Sequence, residues 1–499
     1  MFPLALPGPA KAVVDSPNYK WWVYAAVAVG TYVTVLDQAG VGIALPKIAE
    51  EFGLDIPTVQ WIYLVYVLTT AIMFMPVGRL ADIIGRKKVF LLGWSVNIVG
   101  AVIGGTASEF PVILLGKVVQ GLGVAGIQGN GMAIISSNFP EHERGKSIGL
   151  YTAIIGSGLT SGPTVGGLLI DWFSWRAVFF ANLPFGVLAL FLALLAFKPM
   201  VPSAGPAAGW RAFDWVGAGL SAGAFVSFLM GMSNGHRFGW VSAPILGSFA
   251  ASAVLFSAFI WWQIRARYPM LDLSLFKSKL FSMGASARFL NFLASSSVAF
   301  LMPFFIINVM GYSPARAGLI MAPGALCMAV IGPISGRLSD RFGSRITATV
   351  GQAFEVSALF ALSQLSPDSP PAYVLVCLVL AGMGSGFFNA SNGTAIMSYQ
   401  EPSKFGIVAA LLNVIRTSAN ITGIAVATTV VTITMASFGH QPRLDVISEG
   451  AFDAFVSGLN KAYLIGGCIL LVSMTLAALH GSARRGVGVG GKSLARSRR

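Results

Sequence analysis

Charge is what this 499-residue chain has least of. Only 10% of its residues are Asp, Glu, Lys or Arg, while 55% are hydrophobic. A composition so poor in charge lies outside the soluble globular range. Cysteine is scarce too: Cys327, Cys377 and Cys468 are the whole complement, and all three fall in apolar stretches. That excludes an extracellular disulfide framework and any cysteine-based metal spacing. His142, His236, His440 and His480 are scattered too widely in the chain to suggest a zinc site. There is no Gly-Lys-Ser/Thr loop to cradle a nucleotide phosphate and no nucleophile–base pair at a motif spacing. Neither an ATP-driven pump nor an enzyme is expected, and neither a cofactor nor a metal.

What the chain has instead is long apolar runs. They recur from Trp21 almost to His480, and each is long enough to cross a hydrocarbon core of roughly 30 Å. In lipid such spans must be helices, since nothing else satisfies the backbone hydrogen bonds. The first run, 21–45, is too long and too polar-flanked for a cleaved signal peptide. Segmentation gives fourteen spans: 21–45, 58–78, 89–107, 110–137, 147–171, 175–197, 214–233, 243–263, 281–309, 314–337, 344–366, 371–398, 404–435 and 459–480. With both termini cytoplasmic, the inner segments carry 24 of the 33 Lys and Arg, the outer segments six and the membrane interior three. This bias, and not nucleic-acid binding, accounts for the net charge of +14. It predicts an outside loop at 443–449 and a basic cytoplasmic tail at 481–499, close to anionic lipid headgroups.

One pattern occurs twice, 258 positions apart. The first copy is Gly78-Arg79-Leu80-Ala81-Asp82-Ile83-Ile84-Gly85-Arg86, the second Gly336-Arg337-Leu338-Ser339-Asp340-Arg341-Phe342-Gly343. Each lies where an apolar run breaks and resumes. The glycines permit a tight turn, while Asp82 and Asp340 can accept from nearby arginines and from helix N-termini. Such a cluster can latch a bundle on the cytoplasmic side; its plainer role is a topology signal. A repeated loop joining membrane helices implies two homologous halves. The copies follow helices 2 and 10, so two helices stand inserted between two six-helix halves. The expected organisation is a cytoplasmic segment 1–20, a bundle 21–197, a linker with two inserted helices 198–280, a second bundle 281–480 and the tail.

Three further stretches point the same way. Helix 5 contains Gly158-Leu-Thr-Ser-Gly162-Pro163-Thr-Val-Gly166-Gly167, and Trp175-Arg176-Ala-Val-Phe179-Phe-Ala-Asn182-Leu-Pro184 follows. Pro269-Met-Leu-Asp272-Leu-Ser-Leu-Phe276 precedes helix 9. With the duplicated loop, these resemble the major facilitator superfamily, in detail its fourteen-span drug:proton antiporter branch. The resemblance implies an all-α integral membrane fold of two six-helix bundles plus two inserted helices. Alternating access and proton-coupled export of amphipathic small molecules are its functional implications. Gly158, Gly162 and Gly166 share a face at small-xxx-small spacing and Pro163 can kink the helix, which suits a tight, bendable contact between the halves. The chain departs from the branch along helix 1, where Leu36-Asp37-Gln38-Ala39-Gly40 keeps the acid but loses the usual Thr and Asn. In helix 4 Lys117 stands where arginine is usual. Lysine is a compact charge and arginine a planar fork, so coupling would be retuned or lost.

Few ionisable residues lie in the interior, and each is a candidate. Asp37 and Lys117 both sit about 11–12 Å below the outer boundary at 1.5 Å per residue, which makes them plausible partners and candidates for proton coupling. Glu355 and Arg416 share a depth of about 16–18 Å from the inner boundary. The family places helix 11 at the periphery, which favours a structural role for Glu355, satisfied by neighbouring helices. Family architecture puts helices 1, 2, 4, 5, 9, 10, 12 and 13 around the cavity, leaving Asp37 as its sole expected acid against Lys117, Arg288 and Arg416. Candidate solute-binding residues are Gln38, Tyr66, Gln120, Asn130, Arg288, Asn291, Asn389, Asn413 and Arg416. That charge balance suits neutral, zwitterionic or anionic solutes, so a carrier specific for one anionic or zwitterionic metabolite, peptide or lipid is the alternative to a multidrug exporter. A transport-dead sensor or channel is a third reading, disfavoured because it would not need the intact motifs. The expected partners are a small-molecule solute, protons and the bilayer of the cell membrane, with the chain a monomer.

Overall fold

The computed structural model describes residues 15–140, 144–197, 214–266, 269, 273–398, 405–440 and 451–479. Most of the expected cytoplasmic N-terminal segment, much of the linker around 198–213, the loop 443–449 and the tail 481–499 lie outside the described residues. Fourteen long helices are described: α1 Tyr19–Phe52, α2 Trp61–Ile84, α3 Arg86–Gly105, α4 Phe110–Asn138, α5 Arg144–Trp172, α6 Asn182–Ala196, α7 Trp215–Phe238, α8 Ala243–Arg265, α9 Lys279–Phe304, α10 Pro314–Phe342, α11 Ser344–Leu362, α12 Pro371–Ser398, α13 Phe405–Ser437 and α14 Phe452–Leu479. Twelve of the described helices are long and apolar enough to cross a membrane. The glycine face of α5 packs on α1, and Gln352 on α11 donates to Ser473 Oγ on α14 at 2.8 Å.

α1 continues past its expected end at 45, through Pro46 to Phe52; α2 contains Pro76, and α10 contains Pro323 and Pro333, as their expected spans allow. Each proline removes one backbone donor, and a packed bundle tolerates that loss. After Pro303 the end of α9 loosens into a π turn over Phe305–Val309.

The duplicated loop is shorter than a loop. α2 carries its copy as helix up to Ile84, and α3 resumes at Arg86, so Gly85 alone makes the turn with φ 99 and ψ 135. α10 and α11 are joined the same way by Gly343, with φ 90 and ψ 143. In both cases the glycine N–H donates back into the helix, to Ala81 O or Ser339 O. This backbone region is open to glycine and almost nothing else. Gly343→Ala is therefore expected to cost about 1–3 kcal/mol, read as a lowered midpoint in detergent unfolding. Gly336→Ala, where a Cβ meets nothing within 4 Å, should be near neutral. The side chains of Arg79, Asp82 and Asp340 lie outside the described residues, so the latch expected there stands as a proposal.

α1–α6 pack on one another, as do α9–α14, while α7 and α8 pair together. Asp214 closes that inserted pair: it caps α7 at Gly217 N (2.7 Å) and accepts from Trp262 Nε1 (2.6 Å) and Gln263 Nε2 (2.5 Å). The two halves meet where α5 crosses α10 and where α2 meets α13. Because the motif copies equate α2 with α10, and hence α5 with α13, these two contacts are repeat equivalents of each other.

The α5–α10 crossing corrects one expectation. Gly158, Gly162 and Gly166 face α1 within their own half: a Cβ on Gly162 would lie 2.5 Å from Ala39 Cβ, and one on Gly166 2.8 Å from Gly40 Cα. The contact between halves falls instead to Gly167, packed on the Pro314 carbonyl, and to Gly318, packed on the Pro163 carbonyl. Thr164 Oγ1 adds a hydrogen bond to Gly318 O at 3.3 Å. All of this is at the end of the bundle opposite Gly85 and Gly343. At the motif end, a Cβ on Gly78, Gly332, Gly336 or Gly393 would meet nothing within 4 Å. The close glycine contacts described between the halves thus fall at the far end.

Candidate solute cavity

Between the halves lies a cavity of about 330 Å³, walled by α1, α2, α5 and α9–α13. Most of the wall is apolar, supplied by residues such as Leu45, Leu159, Met321, Met328 and Ile424, and a few polar side chains interrupt it. That is the usual make-up of a site for an amphipathic small molecule.

Four of the sequence candidates meet in this wall: Gln38, Asn291, Asn389 and Arg416. Gln38 Nε2 donates to Tyr63 Oη at 3.3 Å, which fixes both side chains at the wall. Arg416 stands in the wall on α13, close enough for its positive charge to act on Tyr63. Among the described residues no carboxylate or carbonyl accepts a hydrogen bond from its guanidinium, which therefore meets the cavity unneutralised. Asn413 is placed on α13, but its side chain lies outside the described residues.

The other candidates lie behind the wall. Lys117 Nζ stands 3.0 Å from Asp37 Oδ2, both groups almost fully buried, and Asn182 Nδ2 donates to Asp37 Oδ1 at 2.9 Å. The lysine ammonium also lies 4.4 Å from the Phe179 ring centroid and 5.2 Å from that of Tyr66. Attraction to ring faces adds to the ion pair in a desolvated pocket. Tyr66 donates to Thr34 O at 3.4 Å, placing it in this buried cluster. Gln120 is fully buried where Gly100 of α3 approaches α4, and Asn130 bonds its own helix at Gly126 O. Among the described residues α4 contributes nothing to the cavity wall, against expectation: Lys117 and Gln128 turn to Asp37 and Thr34 on α1, and Gln120 lies at the close glycine seam with α3. Arg288 is also outside the wall: it leans on the Phe292 ring at 5.1 Å and leaves its Nε without an acceptor among the described residues.

The largest correction concerns Glu355. Asp37 is not the acid at the cavity wall; Glu355 is. It starts on α11, yet reaches past α12 because Gly384 leaves room for it: a Cβ there would lie 2.5 Å from Glu355 Cγ. Its carboxylate accepts from Asn291 Nδ2 and Ser385 Oγ, and from Ser295 Oγ at 3.3 Å. It forms no ion pair with Arg416 among the described residues. The sequence did carry a signal for this reach. Gly351 and Gly384 each permit the close α11–α12 approach, and a lone carboxylate beside such a seam must find donors on the helices beyond.

Comparison with known proteins agrees with this architecture. The sequence model of the Major Facilitator Superfamily matches residues 27–424. The riboflavin transporter RibZ of Clostridioides difficile (strain 630) is 27% identical over 458 residues, covering 92% of this chain and 96% of its own. The multidrug resistance protein Stp of Mycobacterium tuberculosis (strain CDC 1551 / Oshkosh) is 31% identical over 402 residues, covering 80% and 74%. Among solved structures, a bacterial homolog of the human lysosomal transporter Spinster, inward-facing and unoccupied, superposes with a TM-score of 0.68 at 19% identity over 93% of this chain and 98% of that one. With its duplicated glycine turns, two packed halves and the cavity between them, this chain is a multi-pass membrane transporter of the Major Facilitator Superfamily.

Proposed function

We propose that the chain exports amphipathic small molecules in exchange for protons across the cytoplasmic membrane, by alternating access of the cavity to the two sides. The observation that carries this reading is the cavity itself: apolar walls, one unneutralised guanidinium, and close packing of the two halves at its far end. The positive-inside bias puts the motif end on the cytoplasmic side, so the close contacts between the halves lie toward the outer side. Relatives named for multidrug, tetracenomycin C and lincomycin resistance favour export. Asp37 is the proposed proton carrier, exchanging its bond to Lys117 for a proton one residue away from Gln38 in the wall.

The test is solute movement in proteoliposomes under an imposed pH gradient. Wild-type protein should drive an amphipathic fluorescent dye against its gradient. Asp37→Asn should lose that pH-driven component entirely while still binding the dye. Full gradient-driven transport by Asp37→Asn would remove the residue from the mechanism.

A specific carrier is the second reading, and Arg416 favours it. An unneutralised guanidinium in a membrane cavity is costly unless an anion satisfies it. Arg416→Gln should weaken anionic and zwitterionic solutes by about 1.5–3 kcal/mol, as for a charge-assisted hydrogen bond, and spare neutral analogues. Equal losses for all solutes would make Arg416 structural.

A further inference from the structure

The acidic side of the cavity has an unfilled hydrogen-bonding capacity that the exporter reading does not use. A carboxylate offers about four acceptor positions; three of those on Glu355 are taken, by Asn291, Ser295 and Ser385. The orientation of Asn291 is fixed, because only its amide nitrogen can donate to the carboxylate. Its Oδ1 is then left buried without a donor among the described residues. Asn389 repeats the arrangement: its nitrogen donates to Ser385 O at 3.0 Å, and its Oδ1 is likewise buried and unsatisfied. Buried acceptors without donors are uncommon in folded proteins because leaving them unmet is costly. Here one belongs to the asparagine that donates to Glu355, the other to a residue one turn beyond Ser385, which also donates to it; all three residues line the cavity, and Glu355 and Asn291 are each only 1% exposed.

Resting on the reading of this cavity as the solute site, we propose that Glu355, Asn291 and Asn389 form a receptor for a protonated amine, opposite Arg416, so that the preferred solute is a zwitterion carrying a cationic amine and an acidic group on an apolar body. An ammonium has three N–H donors and the site has three acceptors to meet them. The guanidinium on α13 takes the acid. The two charged poles are not within ion-pairing distance of each other among the described residues, so each remains available, and a solute bridging them neutralises both. This is a different chemistry from a cavity that merely tolerates lipophiles, where hydrogen-bond geometry would carry no selectivity.

The test is equilibrium binding to purified protein by calorimetry with four matched probes. They are 4-(aminomethyl)benzoic acid, its N-acetyl form (anion only), its methyl ester (cation only) and the N-acetyl methyl ester (neutral). Wild-type protein should bind the zwitterion roughly tenfold or more tighter than either singly charged form, since each loses a charge-assisted bond. Glu355→Gln should bring the zwitterion down to the N-acetyl form, and Arg416→Gln down to the methyl ester. Asn389→Leu, which keeps the volume but removes one acceptor, should weaken the two ammonium-bearing probes and leave the other two unchanged. It decides the matter if Glu355→Gln does not fold. Equal losses for all four probes, a wild-type preference for the anion alone, or saturable binding of none would overturn the proposal. Because no gradient enters this measurement, its failure is separable from failure of proton-driven export.

Discussion

Gly318→Leu should cut transport roughly tenfold or more, the effect of about 1.4 kcal/mol on the balance between the two access states. The physical ground is the crossing of α5 and α10, where Gly318 sits on the Pro163 carbonyl and Gly167 on the Pro314 carbonyl. A side chain on Gly318 must push the two helices apart, and the far-end-closed state alone requires them together. The population then shifts to the opposite state, as it does for any perturbation that acts on one conformation only. Efflux in proteoliposomes reads the loss. Gly247→Leu on α8, where a Cβ meets nothing within 4 Å, should transport normally. A normal rate for Gly318→Leu would mean that this crossing does not close the far end.

Lys117→Met should be the most destabilising single change at the ion pair. It leaves Asp37 buried with only Asn182 to answer its charge, at an expected cost of about 3–5 kcal/mol. Removing both charges is a different matter: replacing a buried pair by neutral groups of similar size is often neutral or stabilising. Asp37→Asn/Lys117→Met should therefore recover most of the loss. Thermal unfolding in detergent of the two single variants and the double variant gives the comparison. Additive losses would show that the two side chains do not depend on each other.

How much of this was legible in the chain follows from which physical signals are one-dimensional. The duplicated motif, the span positions and the depths of Asp37 and Lys117 can be counted along the sequence, and the structure puts those two side chains 3.0 Å apart. The face that each helix turns inward cannot be counted. In a soluble protein polarity marks that face. In lipid, both faces of a helix are apolar, and packing is set by small residues whose partners lie elsewhere in the chain. That is why the sequence points the glycine face of α5 at the other half when it packs on α1, and points Gln120 at the cavity when it lies in the α3–α4 seam. Neighbouring helices do satisfy Glu355, as expected, with donors from α9 and α12; what the chain does not show is that Gly384, on another helix, lets it reach the cavity wall.

The central claim is that one cavity opens alternately to the two sides as the halves move against each other. Pulsed spin–spin distances at both ends of the bundle test it most directly. One spin-label pair would be placed at Asp171 and Gln364 at the far end, the other at Lys88 and Arg345 at the motif end; all four residues are exposed. The account predicts two populations at each pair, moving in opposition when the pH is changed or the zwitterionic probe is added: the far-end distance lengthens as the motif-end distance shortens. A single unmoving distance at either pair, or two pairs that lengthen together, would contradict it.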